Sequence, residues 1–417
     1  LPRIHARCLP ARLTQRGHRN TLPPALSNAC LLRRTRRNNL ALSASMHLFI
    51  LLAVKLMHTA NVNLDACFAG ARMPLDFGER RREGLREILR AMLARATEWA
   101  ADAVLIAGNL FDAARVTRDT LSFLQKAFED IQPVRVFIAP GDLDPCTPES
   151  PYVNASWPSN VAIFRNPEWQ ACVVEEARLI VHGRASGPQT GNLDALSVPE
   201  RSGWVQVALV HQPTWGIHLS EAGEEELLGL DYVAVGHIHE AAAFGEAPTL
   251  WCSGAPESLG FDDSGERCCL EIELGDNGIH VTRVPSGRIL YKAFTVECSS
   301  FVGLSDATDA LRAAVSAEAL PVAARVTLRG ACSSEVRYRL PQLRKAAGDA
   351  FEGLSLVDET LSDEDYDELG RENTCLGMFV RRLSEELRDA PDAERERFVR
   401  RARDLGVAAY RGLDVEI

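Results

Sequence analysis

The chain has 417 residues, of which 46% are hydrophobic and 25% are charged. This composition excludes a disordered or fibrous protein and allows two or three domains with a substantial core. Residues 1–53 carry nine of the 46 basic residues and no acidic one, which leaves 37 basic and 57 acidic residues and a net charge of −20 in the remainder. Such an acidic body repels a nucleic-acid backbone except where basic residues cluster locally.

The arginine-rich segment 1–53 shows no periodic pattern and is set apart from the fold. Two interpretations stay open. It is either a disordered segment or upstream sequence translated ahead of a protein that starts at Val54, since bacterial start sites can read a valine codon as methionine. The apolar run MHLFILLAV at 46–54 is too short to span a bilayer, so we expect no membrane association. The eleven cysteines form no C-x-x-C pair, which favours reduced thiols and a cytoplasmic location.

From Val54 onwards, apolar runs that suit buried strands alternate with amphipathic helices. Strands are predicted at 54–59, 101–108, 134–142, 177–183, 204–211 and 231–239, and helices at 79–100 and 120–131. This alternation predicts an α/β fold with a buried, largely parallel sheet that is covered on both faces. In such folds the chemistry gathers beyond the carboxyl ends of the strands.

The predicted secondary structure changes twice in the C-terminal part of the chain. The sequence after residue 256 is β-rich as far as about residue 297, and residues 298–360 contain enough alternating helix and strand for a small α/β domain. The acidic run 361–372 is predicted to be a solvated linker. Two amphipathic helices are predicted at 375–389 and 392–406, and an exposed helix pair of this kind can dock a partner.

Polar side chains that can bind a metal follow five of the predicted strands. They are Asn61 and Asn63 after the first strand, then Asn109, Asp142 and His211, and finally His237 and His239. His237 and His239 are two residues apart, so in an extended strand they project from the same face. Paired neutral imidazoles are a common metal arrangement. The alternative is that the histidines are hydrogen-bonded within a closed pocket that holds no metal.

The order of these residues resembles that of the calcineurin-like metallophosphoesterases, and within them the nuclease subunit of the SbcCD type, which acts in DNA double-strand-break repair. That family runs D-x-H, G-D-x-x-D, G-N-H-D or G-N-H-E, a single His, and G-H-x-H. The corresponding segments here read NVN (61–63), GNLFD (108–112), GDLD (141–144), His211 and GHIH (236–239). The segments HTANVNLD (58–65), WPSNVAIF (157–164) and WCSGAPESLGFDD (251–263) support the same resemblance.

The resemblance implies a metallophosphoesterase domain over 54–297, built as a β-sandwich flanked by helices. A small α/β capping domain over 298–360 and an acidic linker with C-terminal helices over 361–417 follow. It also implies a hydrolase of phosphodiesters, a DNA exonuclease in the SbcCD type, that uses two divalent metal ions. The implied partners are an SMC-like coiled-coil ATPase and DNA, the latter contacted through local basic patches.

The resemblance also assigns two metal positions. The first comprises Asn61, Asn63, Asn109 and His239, and the second comprises Asn109, Asp142, His211 and His237. Asn109 stands where the family has the carboxylate that bridges both ions, and Leu143 stands where the family has a histidine near the scissile phosphate. Hard divalent cations need anionic oxygen ligands. We therefore expect the first position to hold no ion.

These replacements favour a protein whose two-metal chemistry is eroded and which acts as a non-catalytic or weakly active partner. The residues are compatible with one divalent ion, Mn²⁺ or a similar metal, and also with none. Two other functions stay open: a working single-metal phosphodiesterase or DNA exonuclease, and a module that binds a phosphate-bearing ligand without cleaving it. No catalytic residue is assigned from the sequence, and Asp112 and Asp144 are predicted to cap loops.

Overall fold

The computed structural model describes residues 53–68, 73–186, 198, 201–212, 229–244, 249–263, 265–275 and 278–412. Leu51–Ile417 forms one compact unit, and all the elements below belong to it. The arginine-rich segment lies outside the described residues apart from residue 53.

The N-terminal half alternates strands and helices, as the apolar pattern predicts. In chain order its elements are β1 (Val54–Thr59), α1 (Phe77–Glu98), β2 (Ala103–Ile106), α2 (Arg118–Asp130), β3 (Arg135–Ile138), the short α3 (Pro151–Asn154), β4 (Val161–Ile163), β5 (Gln170–Val174), β6 (Leu179–Gly183), β7 (Val205–Val210) and β8 (Tyr232–Val235). Each strand and helix predicted up to residue 239 is confirmed. Several strands end earlier than predicted, because the glycines and polar residues that follow them lie in loops.

The C-terminal half starts with more strands and ends with helices. Its elements are β9 (Ala242–Phe244), β10 (Leu250–Cys252), β11 (Cys268–Gly275), β12 (Gly278–Pro285), β13 (Leu290–Glu297), α4 (Leu304–Ala313), β14 (Val322–Cys332), α5 (Ser334–Arg337), α6 (Leu340–Ala347), a 3-10 turn (Gly348–Ala350), β15 (Gly353–Ser362), α7 (Tyr366–Arg371), α8 (Cys375–Arg388) and α9 (Ala393–Tyr410). The predicted pair of C-terminal helices is confirmed as α8 and α9.

Two six-stranded sheets take the place of the single sheet that the strand pattern predicts. Their strand orders are β12-β11-β1-β2-β3-β4 and β5-β6-β7-β8-β10-β9. Strands β1 to β4 are parallel in the first sheet, and β6, β7, β8 and β10 are parallel in the second. An apolar strand is buried on both faces whether a helix or another sheet covers it, so its sequence does not distinguish the two arrangements. The sandwich implied by the family resemblance is confirmed.

The apolar core lies in two layers, one on each face of the first sheet. Between the two sheets lies a buried cluster with residues from both, among them Leu56, Leu105, Phe137, Val207 and Leu209. Alternate residues of the same strands face α1 and α2 in a second cluster that includes Leu89, Val104, Ile106 and Leu124. Because burial on both faces fixes the strands, their carboxyl ends are held together at one edge of the sandwich.

Strands β13, β14 and β15 form a separate, fully parallel sheet. Residues of α4 and α6 share a buried cluster with this sheet, including Leu311, Val326 and Leu343. The sheet begins at Leu290, before the predicted start of the capping domain at residue 298. The division into 54–297, 298–360 and 361–417 stays a prediction.

The acidic run 361–372 is not a solvated linker, and this corrects the sequence prediction. Its first two residues complete β15, and α7 occupies most of the remainder. Asp365 caps α7 by accepting hydrogen bonds from two backbone N–H groups of the first turn. The Tyr366 hydroxyl donates to the buried carboxylate of Asp404 in α9. The acidic residues therefore occupy capping and exposed positions of a helix that packs against the rest of the chain.

Candidate metal centre

The predicted ligands lie on loops at the carboxyl ends of β1, β2, β3, β7 and β8. Backbone hydrogen bonds join neighbouring loops. The Asn61 N–H donates to the carbonyl of Gly108 at 3.0 Å, and the Asn63 N–H donates to that of Asn109 at 2.9 Å. On the other side, the Gly236 N–H donates to the carbonyl of His211 at 3.0 Å. The fold thus brings together the strand ends that the sequence singled out.

Four of the predicted ligand residues have left-handed backbone conformations. The φ angles are 52° for Asn61, 51° for Asn63, 55° for Asn109 and 65° for His237. Asparagine tolerates this region better than other non-glycine residues. Histidine tolerates it less well, and such strain persists only where the surrounding structure fixes it, most often at functional sites.

Two glycines allow the loops to approach His211. A Cβ atom at Gly236 would lie 1.9 Å from the carbonyl oxygen of Ala107, and one at Gly108 would lie 2.4 Å from Nδ1 of His211. Neither distance is compatible with a side chain. The G-H and G-N pairs of the sequence therefore reflect close backbone packing around a buried histidine.

Asp142, His211 and His237 converge on one point. One donor atom from each lies within 4.8 Å of the others. The Asp142 Oδ2 atom is 3.6 Å from Nε2 of His211 and 3.4 Å from Nδ1 of His237. His211 is fully buried, whereas the side chains of Asp142 and His237 are each 48% exposed. The group is therefore anchored on one side and open to ligands on the other.

The orientation of His211 creates a place for a positive charge. Its Nδ1 atom lies 2.8 Å from the carbonyl oxygen of Ala107, and because a carbonyl only accepts, Nδ1 carries the proton. Nε2 is buried and has no hydrogen-bond partner in the described part of the chain, and it faces the Asp142 carboxylate. Either a second proton or a metal ion between these two atoms relieves the opposition of their lone pairs.

The charge balance of this group also suits a cation. A positive charge at Nε2 of His211 lowers the pKa of the Asp142 carboxyl against the effect of burial, so Asp142 stays ionised. Burial lowers the pKa of His237 and outweighs the opposing effect of the Asp142 carboxylate, which favours the neutral ring. One carboxylate and two imidazoles are a donor set that fits one divalent ion.

The first predicted metal position is occupied by a network of amides. The Leu143 N–H donates to Oδ1 of Asn109 at 2.9 Å, and Nδ2 of Asn109 donates to Oδ1 of Asn61 at 3.1 Å. Nδ2 of Asn61 in turn donates to the carbonyl of Ile238 at 3.1 Å. The Leu143 N–H can only donate and the Ile238 carbonyl can only accept. These two backbone groups therefore fix the orientation of both amides.

This network does not fit a divalent ion. The side-chain oxygens of Asn109 and Asn61 both already accept hydrogen bonds. Asn63 donates through Nδ2 to the backbone oxygen of Asn61 at 3.0 Å, and its own buried Oδ1 has no partner among the described residues. A single neutral oxygen is a weak ligand for Mn²⁺ or Mg²⁺. The side chains of this position supply hydrogen bonds to one another in place of ligands to a metal.

His239, the remaining predicted ligand, is paired with a carboxylate that sequence reasoning missed. Its Nδ1 atom lies 2.7 Å from Oδ1 of Asp263. Burial raises the pKa of Asp263, but hydrogen bonds from His239 and from the Leu259 backbone outweigh it, and the net pKa lies below the usual value. Asp263 is the last residue of WCSGAPESLGFDD (251–263), a segment that also carries the family resemblance.

Asp144 holds the loops of the centre in place. Its fully buried carboxylate accepts hydrogen bonds from the backbone N–H groups of Asn109, Leu110 and Gly141 at 2.6–2.9 Å and from the Tyr152 hydroxyl at 2.6 Å. The predicted loop-capping role of Asp144 is confirmed, as is that of Asp112, which accepts from the Ala114 N–H. The neighbouring Leu143 side chain is 48% exposed at the rim of the centre.

Comparison with known proteins agrees with this architecture. Residues 57–241 match the family described as calcineurin-like phosphoesterase. The chain is 25% identical over 254 residues to the uncharacterized metallophosphoesterase YhaO of Bacillus subtilis (strain 168), an alignment that covers 57% of this chain and 59% of that protein. The chain therefore spans less than two thirds of the length of this relative.

Two solved structures were also similar over part of the chain. A dimetal phosphatase from Danio rerio is 9% identical, covers 56% of this chain and 99% of its own, and has a TM-score of 0.34. The protein TT1561 of Thermus thermophilus is 16% identical, covers 55% of this chain and 99% of its own, and also has a TM-score of 0.34.

In the part of the chain that the structure describes, no helix is both long and apolar enough to cross a membrane. The family match runs from the second half of β1 to beyond β8 and includes the loops that carry the metal-ligand residues up to His239. Over residues 57–241 the chain is similar to the calcineurin-like phosphoesterases, and the sandwich fold agrees with that similarity.

Proposed function

We propose that this protein is a metallophosphoesterase-fold member of the SbcCD nuclease-subunit type whose two-metal centre has been reduced to a single ion site. It serves as a non-catalytic or weakly active partner in a complex. The observation that carries this proposal is the amide network at the first metal position, in which Asn109 donates to Asn61 where two ions would need a shared anion.

Electrostatics supports the loss of the second ion. Two unit charges 4 Å apart interact by about 4 kcal/mol at an effective dielectric of about 20, so two dications at that distance repel by about 16 kcal/mol. A bridging carboxylate offsets much of this repulsion, and the neutral Asn109 does not. Asp142 is the single carboxylate of the convergent group, and its charge balances part of one dication.

Asp142, His211 and His237 would hold the remaining ion. When bound, such an ion polarises a phosphoryl oxygen as a Lewis acid. Position 143 adds no proton transfer at the rim, because the Leu143 side chain has no group that can donate or accept a proton. This combination favours binding over rapid hydrolysis.

A working single-metal phosphodiesterase is the second candidate. The observation in its favour is the exposure of Asp142 and His237, each 48% exposed on the open side of the group. An open coordination side is typical of catalytic metal sites, whereas structural sites are closed.

The proposed partner is an SMC-like coiled-coil ATPase. In its favour, α8 and α9 expose large apolar side chains, with Met378 at 62%, Phe398 at 63% and Tyr410 at 60% exposed. Exposed apolar residues on a helix pair suit docking of another helix. DNA contact is part of the same proposal. Binding of a DNA duplex that weakens as salt is raised would support it, and no binding at low salt would contradict it.

Metal stoichiometry together with hydrolysis of bis(p-nitrophenyl) phosphate in Mn²⁺ tests the proposed function. We expect one ion per chain and hydrolysis close to background. His237→Ala abolishes ion binding, whereas His280→Ala, which removes an exposed histidine of β12, leaves it unchanged. Two ions per chain, or robust turnover that His237→Ala abolishes, would contradict the proposal.

A further inference from the structure

We propose that Asp263 is a positioning residue that fixes the ring of His239 as the Nδ1–H tautomer. His239 then offers an electron pair, and not a proton, at the rim of the metal centre. The inference rests on the proposed function, because His239 is two residues from the ion ligand His237.

The hydrogen bond between the two side chains determines the tautomer. His239 Nδ1 lies 2.7 Å from Asp263 Oδ1. An ionised carboxylate only accepts hydrogen bonds, so Nδ1 must carry the proton. In a neutral imidazole the proton then leaves Nε2 with its lone pair free. Carboxylate–histidine pairs of this kind orient imidazoles around metal centres.

Asp263 is itself held from several directions. Its Oδ2 atom accepts a hydrogen bond from the Leu259 N–H at 2.7 Å, and its side chain is 14% exposed. Two residues earlier in the loop, the centroid of the Phe261 ring lies 4.2 Å from the guanidinium carbon of Arg325. The same ring packs edge-on against Tyr291, with 5.2 Å between the ring centroids. Both of these residues belong to the β13–β15 sheet, so this sheet supports the loop that orients His239.

The backbone of His239 is fixed as well. Its carbonyl accepts a hydrogen bond from the Arg267 guanidinium at 2.5 Å and another from the Ala255 N–H at 3.0 Å. With the backbone and Nδ1 both held, the ring has little freedom to turn. The His239 side chain is 40% exposed, so Nε2 is the ring nitrogen that remains available to a ligand.

This tautomer limits the ligands that His239 can contact. A phosphodiester anion carries only acceptor oxygens, and a neutral Nε2 lone pair forms no hydrogen bond with them. The same lone pair accepts a hydrogen bond from a hydroxyl group or a water molecule. A ligand that suits this rim therefore presents a hydroxyl group or an ordered water to His239.

Histidine-selective ¹⁵N NMR of the full, metal-free chain tests this inference. The spectra are recorded at about pH 8, above the ordinary pKa of histidine, and His239 is assigned from the signals lost in His239→Gln. We expect a protonated Nδ1 and an unprotonated Nε2 in the wild type. Asp263→Ala shifts His239 towards the Nε2–H tautomer, which free histidine prefers. Asp262→Ala, which removes the exposed neighbouring carboxylate, leaves the His239 signals unchanged.

An Nε2–H tautomer in the wild type would overturn the inference, and so would an unchanged His239 spectrum in Asp263→Ala. The wild-type spectrum alone is decisive if the variant does not fold. Since no metal is present, the result is independent of the ion count. Two bound ions would overturn the proposed function without changing the tautomer, so the two failures are distinguishable.

Discussion

Asn109→Asp adds the carboxylate that a second ion would need, and the surrounding hydrogen bonds decide its effect. In the wild type, Nδ2 of Asn109 donates to Oδ1 of Asn61 at 3.1 Å. A carboxylate at position 109 places an acceptor against an acceptor. The Asn61 amide can turn to donate to the new carboxylate, but its oxygen then faces the carbonyl of Ile238, which also only accepts.

One buried polar contact therefore stays unsatisfied whichever way Asn61 points. Asn109 is 6% exposed and Asn61 is 1% exposed, so water does not compensate. Leaving such a group unsatisfied costs about 1–3 kcal/mol. We expect Asn109→Asp to lower the free energy of unfolding by about this amount at neutral pH.

The loss of stability should depend on pH with a definite sign. When protonated, the new carboxyl can donate to Asn61 and restore the network, so the folded state favours the protonated form and raises its pKa above the unfolded value. The destabilisation is then full above the folded pKa and is relieved as the pH falls through it. The variant should gain no second ion, because Asn61, Asn63 and Leu143 are unchanged.

Urea unfolding at about pH 8 and about pH 5 measures this effect, with the ordinary carboxyl and imidazole pKa values as reference. Asn166→Asp is the matched control, because it changes an exposed amide and should alter stability by less than about 0.5 kcal/mol. The proposed amide network would be refuted if Asn109→Asp were as stable as the wild type at the higher pH. It would also be refuted if the loss in free energy of unfolding were no smaller at the lower pH. A strong diesterase from this single substitution would refute the account of the first metal position.

Three further predictions concern residues that support the metal centre without binding an ion. Burial lowers the pKa of His58, which lies between the sheets and bonds to the Tyr232 hydroxyl, to about 3. As the pH falls, His58 is protonated in the unfolded chain before it is protonated in the folded chain. The contribution of His58 to the free energy of unfolding is therefore full above about pH 6.5 and falls by about 1.4 kcal/mol per pH unit towards pH 3. His58→Gln should weaken this pH dependence, as measured by urea unfolding across that range. Asp144→Asn replaces one acceptor oxygen by a donor amide among four donors and should lower the free energy of unfolding by about 3 kcal/mol; a change below about 1 kcal/mol in urea unfolding would contradict this role. Gly236→Ala places a Cβ atom 1.9 Å from the Ala107 carbonyl and should abolish ion binding in equilibrium dialysis, whereas wild-type affinity in this variant would contradict the close packing of the loops.

The positions of the candidate ligands could be predicted from the sequence because each follows a short apolar strand. Val104 to Ala107 lead to Asn109, and Tyr232 to Val235 lead to His237 and His239. Buried parallel strands bring such ends together whatever the details of packing. The split of these strands into two sheets was not predictable from their pattern, because both arrangements bury the strands on both faces.

The hydrogen bonds of the metal centre could not be predicted from the sequence. The orientation of the amides depends on the Leu143 N–H and the Ile238 carbonyl, which are backbone groups that almost any residue would supply. Asp263 pairs with His239 across 24 residues of chain, and that contact depends on how the loop returns. The acidic composition of 361–372 suggested solvent exposure. In the structure α7 instead packs against the rest of the chain, where the Tyr366 hydroxyl donates a hydrogen bond to the buried carboxylate of Asp404.

Anomalous diffraction from crystals equilibrated with Mn²⁺ tests most directly whether a second dication can be held beside a neutral residue 109. We expect a single anomalous peak, bounded by Asp142, His211 and His237. Two adjacent peaks on either side of Asn109 would contradict it.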